Sequence, residues 1–144
     1  MIRFDFQKAC DFKPTLDHKQ WIKEIIRREG KMPGDITYFF CDDEYIYDQN
    51  VRFLNHDTLT DIITFDSCIG DLVQGNILIS YDRIEENARK FNVSVQEETL
   101  RVVAHGVLHL CGYKDKTEEE AALMRKKENE TLELYSTMFS GNNQ

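Results

Sequence analysis

Along the chain the spacing of apolar positions switches between two and about 3.6 residues, and each switch marks a change between strand and helix. Ile2, Phe4 and Phe6 alternate with Arg3 and Asp5, which predicts a half-buried strand over residues 1–6. Pro14 then opens a helix with apolar positions Leu16, Trp21, Ile22, Ile25 and Ile26, ended by Gly30. Its tryptophan is expected in the core. Gly34 precedes a second strand over residues 36–41, and Asp42-Asp43 cap a short helix over residues 44–53. After a polar loop, residues 62–65 and 77–80 read as two more strands, joined through turns at Gly70 and Gly75. From Asp82 the period is helical throughout. One helix runs through Ile84, Ala88 and Phe91 to about Asn92. Ser94 starts another with a buried stripe of Leu100, Val103, Ala104, Val107, Leu108 and Cys111. Thr117-Glu118-Glu119-Glu120 fits a capping box, and the helix it starts lines Leu123, Met124, Lys127, Thr131, Leu134 and Met138 along one face. Together these elements predict an α+β fold: one mixed sheet of about four strands packed with about five helices on one side or both.

A length of 144 residues suits one domain with a sizeable core. The expected domain is 1–140, with 141–144 a frayed polar tail. No apolar run approaches the roughly 18 residues that span a bilayer, and no basic, Ser-rich presequence is visible, so a cytoplasmic setting away from membranes is expected. Cys10, Cys41, Cys68 and Cys111 form no C-x-x-C pair, which argues against a zinc knuckle and a disulfide framework and leaves them as small buried hydrophobes. The net charge of −8 argues against broad affinity for nucleic acid, which normally requires a basic surface. An RNA partner would need one of two arrangements. The acidic residues of 118–133 would face away from the site, leaving Arg101, Lys114, Lys116, Arg125, Lys126 and Lys127 as a local basic rim. Otherwise the RNA would be presented by a larger assembly.

The chemistry concentrates in His105-Gly106-Val107-Leu108-His109-Leu110-Cys111-Gly112-Tyr113-Lys114-Asp115. Two of the four histidines stand at i and i+4, on one face of a helix. Gly112 occupies the position of a left-handed helix stop, so the chain turns back and offers Asp115 as a third ligand. A cation there also lies at the negative end of the helix dipole, a gain of a few tenths to about 1 kcal/mol. Metalloproteases of the H-E-x-x-H type carry their general base directly after the first histidine. That position here is Gly106, so peptide hydrolysis is disfavoured, and the glycine reads as a packing requirement. Three protein ligands leave one position for a water, whose pKa zinc lowers from 15.7 to about 7; the resulting hydroxide is the expected nucleophile. These residues by themselves specify a metal-dependent hydrolase. Two alternatives stay open: a structural site closed by a fourth ligand such as His56 or Asp57, and a metallohydrolase acting on another ester or a small phosphate compound.

The motif His105-Gly-x-Leu108-His109-Leu-x-Gly112-Tyr113 resembles the signature of the YbeY-type rRNA maturation endoribonucleases. The resemblance extends to Asn55-His56-Asp57-Thr58-Leu59-Thr60-Asp61-Ile62-Ile63-Thr64-Phe65 and to Gly75-Asn76-Ile77-Leu78-Ile79-Ser80, and so spans nearly the whole chain. It implies a zinc-dependent endoribonuclease of ribosome biogenesis, with one metal per chain on His105, His109 and Asp115, attacking phosphodiesters of rRNA within ribosomal particles. Three positions depart from the family pattern. Asp115 stands where a third histidine is usual, and its harder oxygen extends the candidate metals to manganese, iron and nickel. Leu54 occupies the place of a family arginine, whose role therefore does not transfer; Arg52, Lys114 and Lys116 are candidates for a replacement charge. Asn76 stands where aspartate is typical. The candidate catalytic residues are thus His56, as general acid or phosphate contact, with Arg52 and Lys114. The loop position of His56 equally suits an ordinary exposed histidine. Oligomeric state is left open.

Overall fold

The computed structural model describes residues 1–55 and 59–140, so His56, Asp57 and the expected tail at 141–144 lie outside the described residues. The described residues form β1 (Ile2–Phe6), α1 (Leu16–Arg28), β2 (Met32–Cys41), α2 (Asp43–Leu54), β3 (Ile62–Asp66), β4 (Leu72–Ser80), α3 (Tyr81–Phe91), α4 (Val95–Leu110) and α5 (Glu118–Phe139). One sheet has the order β1-β2-β4-β3. β1, β2 and β4 run parallel, and β3 runs antiparallel to β4 at the edge. This is the expected α+β architecture.

The helix starts agree with local capping chemistry. Asp42, Ser80, Ser94 and Thr117 each accept a backbone N–H of the first turn, and Thr117 with Glu120 forms the predicted capping box. Two strands run longer than their sequence pattern. β2 begins at Met32 rather than Ile36, taking in Pro33 and Gly34 ahead of a register shift. Proline is tolerated there because β1 pairs with β2 only from Ile36 onward, so no second partner requires its missing N–H. Gly75, expected in a turn, lies inside β4. A Cβ at this residue would sit 2.3 Å from the Phe65 carbonyl oxygen, so the close approach of β3 requires glycine.

Helices cover both sheet faces unequally. Ile36, Tyr38, Phe40, Ile77 and Ile79 face α1, α3 and α4 in the main core, and α5 packs on α1 and α4, where it meets the fully buried Trp21. Two of the core's buried polar ends tie elements together: Trp21 Nε1 donates to the Thr131 carbonyl at 2.8 Å and Tyr38 Oη to the Val103 carbonyl at 2.9 Å. The second bond fixes α4 to the central strand. On the opposite face α2 covers a smaller cluster of Cys41, Ile46, Ile63 and Leu78. Gly106 lets α4 settle on the sheet, since a Cβ there would lie 2.9 Å from Ile77 Cγ2 and 3.2 Å from Ile62 Cδ1. Side chains of β4 and β3 fill the space it leaves.

Along α5 the buried residues are Met124, Glu128, Thr131 and Leu134, while Leu123 and Met138, expected on the inner face, are exposed. The stripe is rotated toward Glu128. Of the cysteines only Cys41 is fully buried; the other three are half-buried, and all four are free. Cys111 packs against the main core beside the motif, and burial pushes its thiol up to about 12.

Candidate metal centre

The end of α4 builds the site through its own termination. Gly112, at φ +111, donates its N–H to the His109 carbonyl at 3.0 Å, and Tyr113 donates to the Leu108 carbonyl at 3.0 Å. This pair of bonds is a Schellman stop, and it swings the Tyr113 carbonyl toward the helix. His109 Nδ1 donates to that carbonyl at 2.8 Å. A carbonyl only accepts, so Nδ1 carries the proton and the neutral ring presents its lone pair at Nε2. The turn is tied down further by Tyr113 Oη, which donates to Glu29 at 2.6 Å.

His105 is oriented by a different device. Its Nδ1 donates to Glu128 Oε2 at 2.7 Å, reached across from α5. The other oxygen of Glu128 accepts from Arg101 Nη1 at 3.2 Å, and Arg101 Nε lies 3.5 Å from Glu98 Oε1. Glu98 and Glu128 are both buried. With Arg101 between them they form a charged stripe behind the histidines, in which Glu98, Arg101, His105 and His109 recur at helical spacing on α4. Burial raises the Glu98 pKa, and the Glu128 charge adds to the rise against the opposing pull of Arg101. Burial lowers the His105 pKa, but the Glu128 hydrogen bond and charge, with the charges of Asp115 and Asp61, outweigh it and hold the ring above its ordinary value.

Both histidines therefore turn Nε2 to one point. Asp115 Oδ2 lies 3.3 Å from Nε2 of His105 and 3.5 Å from Nε2 of His109. A tetrahedral zinc shell with bonds of about 2.0–2.2 Å has ligand-to-ligand edges of roughly 3.3–3.6 Å, which the two edges from Asp115 match, and all three donors lie within 4.8 Å of one another. The histidines are half-buried and Asp115 is exposed, which leaves one side open. Among the described residues this donor group has three members, fewer than the four of a closed structural shell.

The other candidate residues are placed differently. Lys114 is exposed in the same turn as Asp115. Arg52 is not brought to the cluster: it pairs with Asp48 at 3.1 Å on the outer side of α2, across the sheet from α4. Half of the expected basic rim is engaged by carboxylates: Arg101 is held by Glu98 and Glu128, Lys127 by Glu29 and Glu130, and Arg125 lies 4.0 Å from Glu128. Nor do all the acidic residues of 118–133 face away, because Glu128 points into the site. Glu128, Glu98 and the Tyr113 carbonyl are the contributors that motif reading missed. The 3, 4, 4 spacing of Glu98, Arg101, His105 and His109 was the available signal.

Comparison with known proteins agrees with the geometry. The family model described as Endoribonuclease YbeY matches residues 5–136. A Flavobacterium johnsoniae protein named Endoribonuclease YbeY is 47% identical over 135 residues, covering 94% of this chain and 97% of its own length. A protein of the same name from Christiangramia forsetii is 51% identical over 119 residues, covering 83% of both chains. The solution structure of a Thermotoga maritima protein superposes with a TM-score of 0.70 at 31% identity, covering 99% of this chain and 93% of its own. With a family model matched over nearly its full length and relatives near half identity, the chain belongs to the endoribonuclease YbeY family.

Proposed function

We propose that this chain is a zinc-dependent endoribonuclease of rRNA maturation, a single metallohydrolase domain over residues 1–140 that acts in the cytoplasm on RNA within ribosomal particles. Family membership supports the nuclease activity. The observation that carries the metal reading is the convergence of His105 Nε2, His109 Nε2 and Asp115 Oδ2, with both Nδ1 atoms committed to hydrogen bonds. A divalent ion on these donors would supply Lewis acidity at a phosphoryl oxygen and an acidified water.

The chain's own residues do the rest. Glu128 and the Tyr113 carbonyl hold the two imidazoles in the Nδ1–H tautomer. Metal ligands oriented in this way typically lose about 10–100-fold in affinity when the outer partner is removed. A backbone phosphate would approach from the open side beside exposed Asp115, and the exposed position of Lys114 in the same turn supports its reading as a contact for that charge. Because the surface carries an excess of negative charge, affinity for free RNA is expected to be weak, and presentation by a ribosomal particle would compensate. The experiment is cleavage of an rRNA precursor, in ribosomal particles and as free RNA, by protein reconstituted with zinc, manganese, iron or nickel. Specific internal cleavage that disappears on chelation and returns best with zinc is the expected result. No cleavage with any metal, alongside hydrolysis of small phosphoesters, would overturn the RNA assignment.

A further inference from the structure

Across the sheet from the metal centre, the face that α2 leaves partly uncovered carries a groove of about 480 Å³. Strand register places one row along its floor: Thr37 pairs with Asn76, and Asn76 with Phe65, while Arg3 and Asp5 of the edge strand, paired with Thr37 and Phe39, are not among the lining residues. Registered neighbours point to the same face of a sheet, so the row reads hydroxyl, amide, aromatic ring. Its wall comes from α2, where Tyr45, Gln49 and Phe53 recur every four residues along one side of the helix and line the same groove. Phe53 is 64% exposed and meets Phe65 edge to face at a centroid distance of 6.2 Å. On a chain with net charge −8, none of the residues lining the groove is a carboxylate. Asn76 contributes to this as a neutral amide at the centre of the row.

We infer that this groove seats unpaired bases of the RNA substrate, an inference that rests on the RNA-cleaving reading above. Ring faces stack with any base. The amides of Asn76 and Gln49 supply both a donor and an acceptor to base edges. A greasy peptide would leave the amide and hydroxyl row unused. The groove also lies close to the chemistry in strand terms. β3 is the outer strand; Phe65 faces the groove, while Ile62 turns to the other side and packs against Gly106, next to His105. A single-stranded segment therefore rounds only one strand between the two sites.

The test is fluorescence anisotropy with chelator present, so that nothing is cleaved. The probes are a labelled unstructured RNA of about eight nucleotides, within the usual range for single-strand sites, and an abasic ribose-phosphate chain of equal length. The abasic chain should bind at least tenfold more weakly. Phe53→Ala, at an exposed position where folding is not at stake, should weaken the RNA about tenfold and leave the abasic chain unchanged. Equal affinity for the two probes, or unchanged RNA affinity in Phe53→Ala, overturns the inference. So does a Phe53→Ala protein that binds RNA normally but loses self-association in sedimentation, which would assign the groove to a second copy. The nuclease reading is judged separately by metal-dependent cleavage: cleavage with base-blind binding sinks only the groove, whereas base-dependent binding without cleavage sinks only the nuclease.

Discussion

The two histidines of the motif stand one helical turn apart and face the same point, yet they are held in opposite ways. His109 is oriented by a backbone carbonyl four residues on, in an exposed turn that its own helix stop creates. His105 is oriented by a buried carboxylate 23 residues away, itself locked to Arg101 and Glu98. The outer half of the site is local, so it should tolerate change nearby at small cost. The inner half belongs to the core, and a change there should damage both metal binding and folding.

The largest effect should come from the inner half. Glu128→Ala leaves Arg101 beside a single buried carboxylate and His105 without its acceptor. Removing one partner of a buried pair costs about 3–5 kcal/mol, and metal affinity should drop about 10–100-fold as well. Chemical denaturation and metal competition read the two losses. A Glu128→Ala protein as stable and as metal-tight as wild type would erase the difference between the halves. Gly112→Ala tests the outer half. No atom lies within 4 Å of the added Cβ, so the cost is that of a left-handed conformation alone, about 1–2 kcal/mol. Metal affinity should weaken by less than in Glu128→Ala. A greater loss than in Glu128→Ala would reverse the ranking.

What the sequence revealed follows the same division. Gly112, the i,i+4 histidines and Asp115 are local in the chain, and the helix stop and donor set could be read from spacing alone. Glu128 could not be singled out, because it is one glutamate among many in α5 and its burial depends on residues of α4. The outward rotation of Leu123 and Met138 has the same origin: the α5 stripe follows the Glu128 network as well as apolar packing. In the sheet, alternation located every strand but not their full lengths. The start of β2 hides behind Pro33, and Gly75 resembles a turn until the Phe65 carbonyl is seen against it.

A pH titration separates the halves more finely. In the metal-free protein His105 titrates above its ordinary value, so its contribution to stability is fully present below about pH 6.5 and fades as pH rises through the higher folded pKa. In the metal-bound protein the same proton competes for Nε2. Acidification should then release the ion from a higher pH than an unperturbed histidine would give, and Glu128→Gln should shift that release to lower pH. Metal retention measured across pH 5–8 would show it; identical release curves would remove the role of Glu128. The smallest effect is expected for Asp115→His. Asp115 lies in an exposed turn, and imidazole is an ordinary zinc ligand, so metal content should be retained.

The central claim is that one ion is held by His105, His109 and Asp115. Elemental analysis of dialysed wild-type, His105→Ala and His109→Ala proteins tests it most directly. One metal per chain in the wild type and near zero in both variants is the expected result, and wild-type stoichiometry in either variant would contradict the assignment.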